Sequence, residues 1–134
     1  MTDILKMGQA ILAMQPFSQA LGAELTELGE GKAEIRLPLR DDHKQQHGFA
    51  HGGVVSYLAD NCLTFAAGSR LGDVLTLEMK INYTRPAKGA VLIARAQVLS
   101  HGKRQAVCEA KVYAVENGEE KICAIAQGTV MPVS

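Results

Sequence analysis

The strongest structural signal in this chain lies in residues 43–67, HKQQHGFAHGGVVSYLADNCLTFAA. After its two consecutive glycines this stretch is apolar on nearly every side, which is typical of a helix buried in a core. Its polar residues Ser56, Asp60 and Thr64 are spaced by four and therefore lie along one helix face. A buried carboxylate is costly unless another group compensates it. We therefore predict a buried central helix, over about residues 52–69, in which Asp60 has a partner.

Strand patterns flank this helix on both sides. Six strands are predicted, over residues 21–28, 32–39, 75–85, 90–100, 104–116 and 120–131. In the strand that follows the helix, Leu75 and Met79 alternate with Thr76, which predicts that Thr76 faces the opposite side of the sheet. An N-terminal helix is predicted over about residues 1–16, ending at Pro16.

These elements predict an α+β fold in a single domain, residues 1–134, in which one antiparallel sheet curls around one long helix. Turn sequences separate the last four strands, and Asn117-Gly118 is the strongest of them. The four strands after the helix are therefore predicted to form an antiparallel meander. If the first of them lies at an edge, pairing with the same strand of a second copy would cover its free backbone groups.

Composition excludes several classes of partner. Lysine plus arginine equals aspartate plus glutamate at 14 each, so no net charge draws the chain to nucleic acid or to an anionic membrane. The N-terminal apolar runs are too short and interrupted for a signal peptide or a membrane span, so we expect a cytoplasmic protein. Cys62, Cys108 and Cys123 are widely spaced without a C-x-x-C motif, so we expect them to be reduced and buried.

Two glycines and one carboxylate give the central stretch its chemistry. Gly52 and Gly53 open the helix, where backbone N–H groups lack partners and carry the positive end of the helix dipole. These glycines could simply turn the chain, but with Asp60 they form the pair that acyl-transfer hydrolysis needs, a carboxylate and an oxyanion cradle. Asp60 lies about 12 Å along the axis from Gly52. One helix cannot bring both groups to one bond, so the sequence predicts an obligate dimer with a site shared between subunits.

A longer motif points to a known family. The pattern His43-x-Gln45-x-x-Gly48-x-x-His51-Gly52-Gly53, followed by Leu58-Ala59-Asp60, closely resembles the hotdog-fold acyl-CoA thioesterases of the phenylacetate-pathway (PaaI-like) type. The resemblance covers roughly residues 20 to 131. It implies a sheet wrapped around a long helix, a homodimer or a dimer of dimers, and hydrolysis of an acyl-CoA to a carboxylic acid and coenzyme A.

The resemblance also implies a role for individual residues. Asp60 would activate water or attack the thioester carbon, the Gly52 N–H would polarise the carbonyl, and His51 would help to position the loop and the carbonyl. Gln45 stands where the family usually has Asn and sometimes Gln, a side-chain amide that contacts the reacting group. The amide is therefore kept, but its reach is longer. Thr76 stands where relatives can carry a hydroxyl that orients the attacking water.

Substrate binding would use Gly53 and basic residues at strand ends. The resemblance implies that Arg85, Lys88, Lys103 and Arg104 meet the phosphates of coenzyme A, although such residues are as often merely solvated. Lys103 with Arg104 is the preferred pair because Gly102 allows a phosphate to approach closely. No cofactor beyond the coenzyme A of the substrate is expected.

A metal site is the first alternative. His43, His47 and His51 repeat every four residues, as three helical ligands would, but the intervening glycines favour irregular backbone, and no metal is expected.

Two other functions remain open. The acyl group is expected to be medium-chain or aromatic, in a pocket of small and aliphatic residues with Phe49, Tyr57 and Phe65. A hotdog-fold hydratase or dehydratase is disfavoured because His51-Gly52-Gly53 lacks the proline of that branch. A non-catalytic acyl-CoA binding protein, in which Asp60 is structural, is the other alternative.

Overall fold

A 20-residue helix runs through the centre of the protein, which a computed structural model describes over residues 3–133. The helices are α1 (Asp3–Ala13), α2 (Pro16–Leu21), a short 3₁₀ helix (Asp41–His43) and α3 (Gly52–Leu71). The strands are β1 (Glu24–Gly29), β2 (Lys32–Pro38), β3 (Val74–Tyr83), β4 (Val91–His101), β5 (Ala106–Glu116) and β6 (Glu119–Pro132). All six strands form one antiparallel sheet.

The core lies between α3 and the inner face of this sheet. From the helix, Leu58, Cys62 and Leu63 are completely inaccessible to solvent, and from the sheet so are Ile35 and Val112. Burying an aliphatic side chain of this size contributes about 1.5–3 kcal/mol relative to leaving it exposed. The prediction of a buried helix wrapped by one sheet is confirmed.

The strand order corrects the predicted meander. The order is β1-β2-β4-β5-β6-β3, so β4, β5 and β6 follow one another but β3 pairs with β6 and lies at the edge. Residues 84–90 are not a tight turn between neighbouring strands. They cross the end of the sheet, where the Ala50 N–H donates to the Ala87 carbonyl at 2.9 Å. The strand after the helix is therefore an edge strand, as the dimer hypothesis requires.

The predicted alternation within β3 is also wrong at its start. Thr76 pairs with Val130 but Glu78 pairs with Thr129, so Leu77 is an extra residue that forms a β-bulge. The bulge shifts the alternation by one position. Thr76 therefore faces α3 together with Met79, instead of the opposite side of the sheet.

The N-terminal segment folds as two helices instead of one. The predicted helix over residues 1–16 ends at Ala13, and Pro16 begins α2 rather than ending α1, because proline is well tolerated in the first turn of a helix. The first two residues of the predicted span lie outside the described residues. Gly22, with φ of 82°, caps α2, so β1 begins at Glu24 and not at residue 21.

Smaller expectations hold. Asn117 and Gly118 both have positive φ, as a tight hairpin turn requires. Cys62, Cys108 and Cys123 are free and buried. None of the helices within residues 3–133 has the length and apolar character needed to cross a membrane.

Candidate active site

Asp60 lies midway along α3 on a partly open face of an otherwise buried helix. Ser56, Asp60 and Thr64 are all partly exposed, whereas their neighbours Ala59 and Leu63 are fully buried. The Thr76 hydroxyl of β3 donates a hydrogen bond to Asp60 Oδ1 at 2.6 Å. This hydroxyl is the partner that the sequence required. Within residues 3–133 nothing donates to Asp60 Oδ2, so that oxygen is free to accept a proton or to attack.

The N-terminus of α3 presents one free backbone donor. His51 is the N-cap residue, and its Nδ1 accepts a hydrogen bond from the Gly53 N–H at 2.9 Å. The His51 proton therefore resides on Nε2, because Nδ1 is an acceptor. The Gly52 N–H has no acceptor among the described residues, and the Tyr83 hydroxyl donates to the Gly52 carbonyl at 3.3 Å. Gly52 is thus the first-turn donor available to a ligand, while the Gly53 N–H is occupied.

The loop before α3 is held by its own side chains. Gln45 Oε1 accepts a hydrogen bond from the His47 N–H, so its carbonyl end is engaged inside the loop. His43 is only 2% exposed, accepts from the Arg40 N–H at Nδ1, and lies 2.8 Å from the Leu21 carbonyl at Nε2. Because Nδ1 accepts, Nε2 is the nitrogen that donates to the Leu21 carbonyl.

The three regularly spaced histidines do not converge. His43 is bonded to backbone groups, His51 caps the helix, and His47 is exposed in the loop. Across residues 3–133, no three His, Cys, Asp or Glu side chains come together in a way that could hold a metal ion.

The Asp60 carboxylate and the free Gly52 N–H lie at opposite ends of β3. Thr76, near the start of the strand, contacts Asp60, and Tyr83, at its end, contacts Gly52. The edge strand therefore runs alongside α3 in the opposite direction. Within one chain the carboxylate and the free N–H remain about 12 Å apart along the helix axis.

The basic residues are divided between the same two ends. Arg85 is exposed just beyond Tyr83, at the Gly52 end. Lys103 and Arg104 are exposed in the turn before β5. Val130 of β6 pairs on one side with the first residue of β5 and on the other side with Thr76, so this turn lies at the Thr76 end of the sheet. Two strand spacings, about 10 Å, separate this turn from the start of β3. One chain therefore does not bring Arg85 together with Lys103 and Arg104.

A polar network beside Asp60 was not predicted from the sequence. Tyr57 donates to Ser18 Oγ at 2.6 Å, and Asn61 donates to both Tyr57 and Gln15 at 3.0 Å. Burial raises the pKa of Tyr57, while its hydrogen bonds to Ser18 and Asn61 act in the opposite direction. The network ties α2 to α3 next to Asp60. The α2 side and the α3 side of the network lie 39 to 46 residues apart in sequence, so no local pattern could have indicated it.

A groove was also missed by the sequence reasoning. It has a volume of about 540 Å³ and lies between α1 and the second half of α3. Phe65, which the sequence places in the pocket, lines it, whereas Tyr57 instead joins the polar network and Phe49 lies in the loop. The α1 side chains on its other wall gave no signal beyond ordinary amphipathicity.

Known proteins resemble this chain in both sequence and fold. A model of the thioesterase superfamily matches residues 47–121. The acyl-coenzyme A thioesterase PaaI of Escherichia coli is 28% identical over 83% of this chain and 78% of its own length. Human acyl-coenzyme A thioesterase 13 is 30% identical over 71% of each chain. The solved structure of a thioesterase family protein from Silicibacter pomeroyi superposes with a TM-score of 0.91 at 35% identity, covering 96% of both chains. The span matched by the family model includes Gly52, Asp60 and Thr76.

Proposed function

The chain belongs to the thioesterase superfamily, and from this membership we propose that it hydrolyses the thioester of a medium-chain or aromatic acyl-CoA, with Asp60 as the catalytic carboxylate. Hydrolysis of an acyl-CoA agrees with the names of its relatives in Escherichia coli and human. The observation that carries the residue assignment is the hydrogen bond from Thr76 to Asp60 Oδ1, which leaves Oδ2 free on a partly exposed face.

In the proposed reaction Asp60 acts as a general base. Oδ2 takes a proton from water, the water oxygen attacks the thioester carbon, and the electron pair of the carbonyl moves to its oxygen, where the Gly52 N–H stabilises it. Collapse of this intermediate breaks the C–S bond, and the thiolate of coenzyme A takes the proton from Asp60. A thiolate is a good leaving group because thiols have a pKa near ~8.5. In the nucleophilic variant Asp60 attacks the carbon directly, and water then hydrolyses the anhydride.

Two copies would complete each site. The carboxylate and the Gly52 N–H are about 12 Å apart in one chain, and β3 is an edge strand with Leu75 61% and Leu77 59% exposed. Antiparallel pairing of β3 with its copy would cover these side chains and bring Asp60 of one protomer toward Gly52 of the other. We therefore propose a homodimer, which could assemble further into a dimer of dimers.

The same pairing supports a site for coenzyme A. Arg85 lies at the Gly52 end of the sheet, and Lys103 and Arg104 lie at the Thr76 end. A two-fold axis between the two paired β3 strands brings the Gly52 end of one copy to the side of the Thr76 end of the other. Exposed guanidinium and ammonium groups at that junction suit phosphate binding. The Gln45 amide, in the loop before Gly52, is proposed to contact the reacting group.

The direct test is thiol release from a panel of acyl-CoAs. Butyryl-, octanoyl-, dodecanoyl- and phenylacetyl-CoA would be incubated with the wild-type protein and with Asp60→Asn, which keeps the size and most of the hydrogen bonding of the side chain. We expect release by the wild type and its loss in Asp60→Asn, with substrate binding retained in both. Equal release by the two proteins would remove Asp60 from the chemistry. Binding without release by the wild type would favour a binding protein, and hydration of an enoyl-CoA would favour the hydratase branch.

A further inference from the structure

The groove between α1 and α3 begins one helical turn beyond Asp60. Thr64 and Gly68, which line it, follow Asp60 at four-residue intervals and therefore continue the same helix face. A thioester held at Asp60 would thus have the groove directly ahead of its acyl chain.

The direction of α1 fixes which end of the groove is its mouth. Gln15, just after the end of α1, accepts a hydrogen bond from Asn61 at 3.0 Å. Gly8, more than one turn earlier in α1, lies beside the ring of Phe65, which is four residues later in α3. The two helices therefore run in opposite directions. The mouth lies at Gln15, next to Asp60, and the far end lies at Ile4 and Val74.

The walls of the groove suit an aliphatic chain. Its apolar lining comes from Ile4, Met7, Ile11, Met14, Leu28 and Phe65. Met7 is 64% and Met14 73% exposed. An exposed cluster of large apolar side chains marks a binding surface more often than a solvated one, and methionine adapts to ligands of different shape. Each methylene transferred from water into such a groove improves affinity roughly fourfold.

Gly68 leaves the floor of the groove open. Glycine lowers helix stability relative to alanine, so a glycine inside α3 calls for another reason. A Cβ at this position would meet only Val74 Cγ2, at 3.9 Å, so a side chain would fit the backbone and grow into the groove. A side chain at position 68 would therefore fit, and its absence leaves this part of the groove empty.

We propose that the acyl chain of the substrate lies in this groove and that the absence of a side chain at Gly68 lets acyl chains longer than about ten carbons enter it. The inference rests on the proposed thioesterase function. From Asp60 to Gly68 the helix rises about 12 Å, and to Gly72 about 18 Å. A staggered hydrocarbon advances roughly 1.25 Å per carbon, so the chain passes Gly68 near its tenth carbon and reaches the far end near its fourteenth. A phenylacetyl group would end before Gly68.

The test is a volume series at Gly68. Gly68→Ala and Gly68→Leu would be compared with wild type on butyryl-, phenylacetyl- and dodecanoyl-CoA, using kcat/KM. We expect Gly68→Leu to lower the dodecanoyl-to-butyryl ratio at least about tenfold, because two or more methylenes leave the groove. Gly68→Ala should change the ratio less, and the phenylacetyl-to-butyryl ratio should not move. Ala10→Leu, which adds a similar volume on an exposed position of α1 outside the groove lining, is the control.

Three results would overturn the proposal. One is a Gly68→Leu variant that folds and keeps the wild-type ratio of kcat/KM for dodecanoyl-CoA over butyryl-CoA. A second is an equal loss on all three substrates, which would assign Gly68 to the fold or to the chemistry. The third is a Met7→Ser variant whose molar mass in light scattering changes while its dodecanoyl-to-butyryl ratio does not. That result would make this face an interface between copies of the chain.

A binding measurement separates this inference from the proposed function. In the Asp60→Asn background, calorimetric titration with dodecanoyl-CoA and butyryl-CoA should show tighter binding of the longer chain, and adding Gly68→Leu should remove that difference. This result without turnover by the wild type would support the groove and refute the hydrolase. Equal affinities for the two chain lengths with Gly68 intact would refute the groove even in an active enzyme.

Discussion

The Thr76 hydroxyl and the Asp60 carboxylate are 2.6 Å apart, although one belongs to an edge strand and the other to the central helix. The bond fixes one carboxylate oxygen and leaves the second one open. A carboxylate whose orientation is set in this way loses little freedom when it reacts, which is how positioned groups lower a barrier.

Removing the Thr76 hydroxyl should impair catalysis more than folding. Thr76→Val has nearly the same shape but cannot donate, and a hydrogen bond to a charged group is worth about 1.5–3 kcal/mol, so we expect kcat to fall roughly tenfold or more. Thr76→Ser keeps the donor and should retain most of the activity. Steady-state kinetics and thermal unfolding of both variants are the measurements. A Val variant with wild-type kcat would make this bond structural only.

The Gly52 N–H can be deleted without disturbing the helix. Gly52 is the first residue of α3, where proline is well accepted, and His51 has the extended backbone, φ −61° and ψ 140°, that a following proline requires. If this N–H holds the oxyanion, Gly52→Pro should lower kcat about 10²- to 10³-fold. Gly52→Ala, whose Cβ would lie 3.7 Å from the Tyr83 ring, keeps the donor and serves as control. Equal kcat in the two variants would exclude Gly52 as the oxyanion donor.

Mixing two inactive variants tests whether the site is shared. If Asp60 of one protomer works with Gly52 of the other, a heterodimer of Asp60→Asn and Gly52→Pro has one intact site and one doubly defective site. Random reassociation of equal amounts should restore about a quarter of the wild-type activity. A site within one chain would regain nothing, because each site would then carry one defect. Subunit exchange can be followed in parallel by mass spectrometry of differently labelled proteins.

Alkaline pH should destabilise the fold through its cysteines. Burial raises the pKa of the Cys108 and Cys123 thiols from 9.0 to about 11. Between these values the unfolded chain loses thiol protons that the folded chain keeps, so the stabilising contribution is full below pH 9 and is lost as the pH rises toward 11. Urea unfolding at about pH 8 and about pH 10 should show this decline. The Cys108→Ala/Cys123→Ala double variant should decline less steeply, and an identical decline would assign the effect to other groups.

The central helix could be predicted because its signal is local. Residues 54–67 are almost uniformly apolar, and the interruption by Ser56, Asp60 and Thr64 marks the one face that is partly open. The hairpin at Asn117-Gly118 could likewise be predicted, since its two positive φ angles belong to the residue types themselves. The N-terminus of α3 was recognisable from its glycines and histidine. The sequence did not show that the Gly52 N–H stays free while the Gly53 N–H is taken by His51.

The position of β3 could not be predicted, because its partner is distant in sequence. Consecutive strands usually pair, yet β3 pairs with β6, and only tertiary packing selects that neighbour. The bulge at Leu77 was hidden for a related reason, since Leu75 and Leu77 fit a regular alternation perfectly well. The error mattered, because a regular strand would have turned Thr76 away from Asp60.

The pairing of β3 with the last strand also fixes when the site can form during synthesis. Thr76 is held in register by Val130, whereas Asp60 belongs to a helix that is complete 59 positions earlier, at Leu71. A nascent chain therefore emerges from the ribosome with its carboxylate exposed and its hydroxyl partner unplaced until β6 has been translated. Strand pairs of such long sequence separation form slowly, so the hydrogen bond between Thr76 and Asp60 waits for the pairing of β3 with β6.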